Sequence, residues 1–164
     1  MKYSIFPGVP INTRVNMLTA SLHDENTVFA VFNSQRQGDF KPYILKSLDK
    51  GKTWTSISSN LPERGNTYCL KQDHVDPNLL FVGTEFGAYF SNDAGLNWTK
   101  LSGLPTIAVY DLDIQKREND LVAATFGRGF YVLDNYTILR SLSKEILDKK
   151  AKRWLAKTLW HMLL

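Results

Sequence analysis

The sequence contains one acidic motif twice, and its residue types could take part in several kinds of chemistry. Residues 47–54 read Ser-Leu-Asp-Lys-Gly-Lys-Thr-Trp, and the spacing Ser-x-Asp-x-Gly-x-x-Trp returns 44 positions later, in residues 91–98. A recurring aspartate suggests an acid, a base or a metal ligand. However, one carboxylate per motif does not provide the dense set of oxygen ligands that calcium requires. The role of the motif therefore has to be judged from the local structure that it predicts.

The same spacing is typical of a tight hairpin turn. Asp49 stands where a side chain can bond its own backbone, and Gly51 stands where the chain needs a positive φ. Hydroxyl side chains at both ends can bond nearby amides, and the tryptophan supplies a large ring for the core. In the second copy Asn97 replaces a hydroxyl residue, which predicts the loss of one such bond. The residues interpreted as structural are Ser47, Asp49, Gly51, Thr53, Trp54, Ser91, Asp93, Gly95 and Trp98.

The elements around these turns repeat as short strand-like runs. Four such runs occur in about 40–45 residues, which is the period of a β-propeller blade. The predicted fold is all-β, a partial propeller of two to three four-stranded antiparallel blades with a C-terminal α-helix. The predicted units are a leading segment (1–13), blade one (14–62), blade two (63–105), an incomplete blade three without a fourth strand (106–136) and a helical tail (137–164).

The formal net charge of +4 resides in the tail. Residues 144–157 hold six lysine and arginine residues against two acidic ones, and the rest of the chain is balanced. The body therefore gives no electrostatic argument for nucleic-acid binding. Apolar residues at helical spacing in the tail predict an amphipathic helix packed against a blade. The alternative for this basic helix is contact with a membrane surface.

No residue pattern indicates a cofactor, a metal centre or a nucleophilic triad. Cys69 is the single cysteine, so an internal disulfide and a cysteine-based zinc site are excluded, and its apolar neighbours predict a buried thiol. His23, His74 and His161 lack the spacing of a zinc site. No apolar run is long enough to predict a membrane span or a signal peptide, which leaves the localisation open.

The first motif resembles the Asp-box, or BNR repeat, at every position, and the second resembles it except at Asn97. Such boxes are found in the propellers of sialidases, xyloglucanases and sortilin-type receptors. Residues 80–87 and 124–135, with 6–10 and 41–43, resemble the closing blades of large bacterial sortilin-like or glycosyl-hydrolase propeller proteins. The similarity covers about residues 6–150. Those relatives are several-fold longer and usually exported, so the resemblance implies a fragment of such a protein.

The resemblance also implies that Asp-boxes lie on the rim opposite the usual active site. Chemistry is then expected in the loops of the other face, which are residues 33–41, 63–65, 85–87, 103–106 and 126–129. The weak catalytic candidates there are the carboxylates Glu85, Asp39 and Asp111, because glycoside hydrolysis normally needs two carboxylates across the bond.

The ligand-binding candidates on that face are Arg128, Glu85, Arg64 and Tyr110. Glu85 and Arg128 occupy equivalent places in successive blades, which predicts an ion pair or a polar ligand between them. Tyr68 and Tyr110 begin their strands and are expected to line the central channel.

Two functional interpretations follow. The first is a non-catalytic propeller fragment that acts as a scaffold or interaction surface for a protein or a glycan. The alternative is part of a sialidase-like or xyloglucanase-like glycoside hydrolase, with Glu85 and Asp39 or Asp111 as acid and base. Open blade edges also predict a tendency to self-associate.

Overall fold

The computed structural model describes residues 6–142 and 160–163 and contains three sheets of four strands. The strands are β1 (Arg14–Ala20), β2 (Val28–Asn33), β3 (Tyr43–Ser47), β4 (Thr55–Ser56), β5 (Thr67–Gln72), β6 (Leu80–Thr84), β7 (Gly87–Ser91), β8 (Thr99–Lys100), β9 (Val109–Gln115), β10 (Asp120–Thr125), β11 (Phe130–Leu133) and β12 (Trp160–Leu163). Two 3-10 helices, Gln35–Gln37 and Tyr136–Ser141, follow β2 and β11.

Each sheet is a meander in which neighbouring strands are antiparallel. The strand orders are β1-β2-β3-β4 in blade one, β5-β6-β7-β8 in blade two and β9-β10-β11-β12 in blade three. The first strands of the blades lie side by side, β1 against β5 and β5 against β9. This arrangement confirms the predicted all-β, partial propeller. We call the face where β1, β5 and β9 begin the upper face, and the opposite face the lower face.

Apolar side chains fill the two spaces between the blades. In β2, Phe29 and Val31 face Leu80 and Val82 of β6, within the core between blades one and two. In β6 the next residue along, Phe81, points the other way and packs into the core between blades two and three. Because successive residues of a strand alternate between faces, a blade covered on both sides needs a continuous apolar run.

Cys69 lies in the core between blades two and three, with 1% of its surface exposed, which confirms the predicted buried thiol. Burial, with a smaller effect of the Asp111 charge, raises the pKa of this thiol to about 12. The close approach of the blades is visible at Gly83. A Cβ atom there would lie 2.5 Å from the Val109 carbonyl oxygen and 2.6 Å from the Cys69 sulfur, so only glycine fits.

Residues 6–9 of the leading segment pack on the outer face of blade one. Phe6 and Val9 pack on a small core formed by Ala30, Phe32 and Leu45. The Phe6 ring lies 4.7 Å from the ring of Phe32 and 5.5 Å from that of Trp54, measured between centroids. A flank that would otherwise expose aromatic surface is therefore partly shielded by this chain's own residues.

Blade three corrects two predictions. Trp160–Leu163 is a β-strand paired with Phe130–Leu133, so this blade does have a fourth strand and the predicted helix does not extend to Leu163. The remainder of that helix, residues 143–159, lies outside the described residues. Residues 160–163 form a strand because β11 would otherwise present unpaired backbone N–H and C=O groups at its edge. Pairing with that edge overrides the helical periodicity of the sequence.

In blade three, the segment after β11 occupies the position that an Asp-Gly turn has in blades one and two. In blades one and two the turn donates a backbone hydrogen bond to the preceding hairpin, from Lys50 N to Asn26 O and from Ala94 N to Asn78 O. In blade three Tyr136 N donates to Asn119 O in the same way, at 2.9 Å. The hydrogen bond between turns is thus kept although the motif is absent.

No helix in the described part of the chain is long and apolar enough to span a membrane.

Candidate functional site

A cavity of about 640 Å³ opens on the upper face. Amide side chains dominate its lining, and they belong to Asn12, Asn16, Asn33, Gln35 and Gln37. Arg14 and Arg36 add two guanidinium groups, and Tyr68 and Tyr110 add two aromatic rings. No carboxylate lines this cavity among the described residues. The site is therefore rich in hydrogen-bond donors, with flat apolar surface beside them.

Three of the lining residues sit at β-bulges in equivalent positions of successive blades. In the pairing of β1 with β2, Asn16 has no partner, because Val15 pairs with Phe32 and Met17 with Val31. Tyr68 is skipped in the same way between β5 and β6, and Tyr110 between β9 and β10. A bulge redirects one side chain out of the regular alternation and is common beside functional sites. Here the three bulges direct one side chain of each blade to the cavity.

Aromatic rings form a row across this face. The Tyr68 and Tyr110 rings meet edge to face with centroids 4.5 Å apart, and Tyr110 contacts Phe126 similarly at 5.4 Å. Tyr110 is 45% exposed and Phe126 is 66% exposed. Burial, followed by the charge of Glu85 and the proximity of Tyr110, raises the pKa of Tyr68 to about 12. Tyr68 is therefore a neutral phenol at physiological pH, and part of the row is open to a ligand.

The three candidate catalytic carboxylates are engaged elsewhere. Asp39 accepts hydrogen bonds from the Tyr43 hydroxyl at 2.5 Å and from the Lys41 backbone N–H at 3.1 Å. The hydrogen bond from Tyr43 is the main reason that the pKa of Asp39 is lowered. Asp111 is exposed and accepts from the backbone N–H of Leu112. None of the three lines the cavity.

The expected ion pair between Glu85 and Arg128 does not form in the described part of the chain. Glu85 instead accepts a hydrogen bond from the side-chain amide of Asn66 at 3.2 Å. Arg128 is exposed between Gly127 and Gly129, which both have positive φ. The two glycines give this loop a backbone conformation that other residues rarely adopt, and Arg128 at its centre is left exposed.

The two Asp-Gly turns lie on the lower face, between β3 and β4 and between β7 and β8. Asp49 accepts hydrogen bonds from Ser47, from the backbone of Lys52 and from both the backbone and hydroxyl of Thr53. These bonds, chiefly those from Thr53, lower the pKa of Asp49 to about 2. Gly51 has φ 86°, the conformation that its position was predicted to need.

The second turn keeps the bond that Asn97 was expected to lose. The side-chain amide of Asn97 donates to Asp93 Oδ2 at 2.7 Å, in place of a hydroxyl group. Burial tends to raise the pKa of Asp93, but the hydrogen bonds from Asn97 and Ser91 outweigh it and lower the pKa. Both turn carboxylates are thus occupied by their own turns, and no group of three or more His, Cys, Asp or Glu side chains among the described residues could hold a metal ion.

A buried charged network on the lower face joins blade two to the 3-10 helix after β11. The Asp73 side chain is fully buried, and Arg140 donates two hydrogen bonds to it, from Nε at 2.7 Å and Nη2 at 2.9 Å. The Tyr136 hydroxyl also donates to Asp73, at 2.6 Å. Burial tends to raise the pKa of Asp73, but the hydrogen bonds from Arg140 and Tyr136 hold it well below its usual range.

Sequence reasoning named Tyr68 and Tyr110 and placed the loop of residues 33–41 on this face, but it did not single out the amide side chains that line the cavity. Asn16, Asn33 and Arg36 carry no motif, and their common position depends on strand register and on a loop conformation. The only signal was indirect, since Arg36 and its neighbours belong to a polar loop on the face opposite the Asp-Gly turns. Arg64, another ligand-binding candidate, is exposed and does not line the cavity.

Comparison of sequences finds a similarity to xyloglucanases over a short stretch. A xyloglucanase of Acetivibrio thermocellus is 32% identical over 78 residues, which is 43% of this chain and 9% of that enzyme. A xyloglucanase of a Paenibacillus species is 27% identical over 99 residues, or 56% of this chain and 9% of that enzyme. The match thus spans under a tenth of the length of these relatives. No family model matches the chain.

Comparison of structures identifies the fold. The GH74 xyloglucanase from Xanthomonas campestris superimposes with a TM-score of 0.63 at 13% identity, covering 90% of this chain and 23% of that one. YCF48 bound to D1 peptide superimposes with a TM-score of 0.53 at 18% identity, covering 74% of this chain and 37% of that one. At such identities the likeness concerns the fold alone. The chain is similar to part of a glycosyl-hydrolase-type β-propeller.

Proposed function

We propose that this chain is a non-catalytic propeller segment that binds glycan chains on its upper face. The observation that carries the proposal is the cavity to which bulges in three successive blades each contribute one side chain. Amide groups can both donate and accept hydrogen bonds, which suits the many hydroxyl groups of a saccharide. The exposed rings of Tyr110 and Phe126 offer flat apolar surface for the C–H faces of sugar rings.

The placement of the carboxylates favours binding over hydrolysis. A glycosidase normally needs two carboxyl groups on either side of the scissile bond, one as acid and the other as base or nucleophile. In this chain Asp39, Glu85 and Asp111 lie outside the cavity lining, and each already accepts a hydrogen bond from the protein. Within the described residues, the cavity lining thus has groups for recognition and no carboxyl group for this reaction.

Binding is tested by isothermal titration calorimetry with xyloglucan oligosaccharides, because the sequence relatives are xyloglucanases. We expect Tyr110→Ala to weaken binding about tenfold or more, as loss of a stacking ring and its hydroxyl is worth roughly 1–2 kcal/mol. Leu48→Ala is the matched control, since Leu48 is similarly exposed but lies in the lower-face turn. Equal affinities of the wild type and the Tyr110 variant would refute the assignment of this face.

The second candidate function is that of a glycoside hydrolase segment, and the similarity to xyloglucanases favours it. Glu85 would then act with Asp39 or Asp111. We expect no hydrolysis of aryl glycosides or xyloglucan above the rate in buffer, measured by chromophore release and reducing-end assays. Hydrolysis that disappears in Glu85→Gln and persists in the control Glu118→Gln would overturn the non-catalytic proposal.

A further inference from the structure

We propose that the preferred ligand of the upper face is an acidic polysaccharide, whose carboxylate or sulfate groups are bound by Arg14 and Arg36. This inference rests on the proposed function and narrows it to one class of glycan. Its starting point is that the cavity lining carries two guanidinium groups and no carboxylate among the described residues.

The arginines of the two faces differ in their partners. On the lower face Arg117 pairs with Glu118 at 2.9 Å and Arg140 pairs with Asp73 at 2.7 Å. On the upper face Arg14 and Arg36 have no carboxylate partner within the described residues. A guanidinium group binds a carboxylate or a sulfate best, through two parallel charge-assisted hydrogen bonds. The two guanidinium groups of this cavity can therefore bind the anionic groups of a ligand.

The backbone that carries the two arginines is held in place. Arg14 begins β1 and pairs with Asn33 in the ladder, and Arg36 lies in the 3-10 helix that follows β2. The Gln37 amide donates to the Ile11 carbonyl at 3.0 Å.

Thr13 Oγ1 adds a second cross-connection, a hydrogen bond to Ser34 Oγ at 3.3 Å. The segment before β1 and the loop after β2 are thus tied together by side-chain hydrogen bonds. Binding an anion between them would not have to order the loop first, which reduces the entropic cost of association.

Two acidic groups in the loops of the upper face already accept hydrogen bonds from the protein. Glu85 lies close enough for its charge to contribute to the raised pKa of Tyr68, and it accepts a hydrogen bond from Asn66. Asp39 is held by Tyr43 and Lys41 in the loop beyond the 3-10 helix. Neither carboxylate neutralises Arg14 or Arg36, so the cavity keeps its positive charge.

The test compares charged ligands with neutral counterparts that have the same sugar backbone. The full chain is titrated by calorimetry with a galacturonic-acid oligosaccharide, its fully methyl-esterified form, dextran sulfate and neutral dextran. We expect each anionic ligand to bind at least about tenfold more tightly than its neutral counterpart, because charge-assisted hydrogen bonds are stronger than those between neutral groups. The preference is expected to weaken as salt is added. The galacturonate and sulfate arms show which anionic group is the better ligand.

Arginine variants show which residues cause the preference for anionic ligands. Arg14→Gln and Arg36→Gln are each expected to reduce the affinity for the anionic ligand about tenfold or more, and to reduce the affinity for the neutral one by much less. Arg117→Gln removes the same charge on the lower face and is expected to change neither. Circular dichroism of all three variants checks that they are folded.

The possible failures are distinguishable. Binding of neutral glycans without preference for the charged forms would overturn this inference and leave the proposed function standing. Absence of binding to any glycan would overturn both. Equally tight binding of single-stranded DNA would identify the upper face as a nucleic-acid surface instead. An effect of Arg117→Gln as large as that of Arg14→Gln would show that the preference for anionic ligands comes from the overall charge of the protein and not from the cavity.

Discussion

Arg140→Ala is expected to lower the free energy of unfolding by about 3–5 kcal/mol, the cost typical of breaking a buried ion pair. The reason is that the substitution leaves the Asp73 carboxylate, which is fully buried, without the guanidinium that donates two hydrogen bonds to it. Since small domains are stable by roughly 5–15 kcal/mol, much of the stability would be lost. Urea denaturation followed by tryptophan fluorescence measures the change.

Two controls show whether the buried charge is the cause. Arg117→Ala removes an arginine that is exposed and paired with the exposed Glu118, so it should cost at most about 1 kcal/mol. The double variant Asp73→Asn, Arg140→Gln removes both charges and should cost less than Arg140→Ala, because no unpaired charge remains. A double variant that is less stable than the single one would contradict this explanation.

The same network sets a pH dependence. The pKa of Asp73 is lowered in the folded protein, so its contribution to stability is present above the unfolded value of about 4 and is lost as the pH falls below it. The wild type should therefore lose stability between about pH 5 and pH 2 more steeply than the double variant. Parallel slopes in urea titrations across this range would show that other carboxylates dominate.

Trp98→Ala is expected to destabilise the protein by about 3–5 kcal/mol, whereas Trp54→Ala should cost only about 1–2 kcal/mol. The two residues occupy the same position of the repeated motif. Trp98 is 4% exposed in the core between blades one and two, and its indole N–H donates to the Ile57 carbonyl of blade one at 2.7 Å. Trp54 is half-buried, packs against Phe6 and donates to Gly51 within its own turn.

The comparison tests what holds the blades together. Denaturant unfolding of the two variants, with Trp98→Phe and Trp54→Phe as milder replacements, gives the difference in free energy. Equal losses at both positions would mean that the leading segment covers Trp54 as effectively as blade one covers Trp98. A larger loss at Trp54 would contradict the packing described here.

The repeat and its turns were predictable because their causes are local. Asp49 and Gly51 form hydrogen bonds with residues at most four positions away, so the motif alone indicates a turn. The buried strand around Phe81 was equally clear from its apolar run. Such signals recur at a blade-sized period, and the fold class follows from them.

The tail was less predictable because its pairing is not local. Residues 160–163 follow a helical pattern in sequence, yet their backbone pairs with β11, about 30 residues earlier in the chain. An open strand edge stabilises whichever segment reaches it, and the sequence of that segment does not show this. The absence of a fourth strand was therefore the wrong conclusion from the missing Asp-Gly turn after Leu133.

The sequence by itself determined that this protein is built from blades and that the acidic residues of its most visible motif serve turns. The sequence also indicated the face opposite the turns and two of its tyrosines, and the tertiary structure decided which side chains meet there in one cavity. Asn16, Tyr68 and Tyr110 reach one cavity because each is skipped in a ladder with a distant strand, and a bulge is a property of two strands together. Only the structure showed that Arg14 and Arg36 line one cavity without a carboxylate partner among the described residues, since ion pairing depends on distances in space rather than on spacing along the chain.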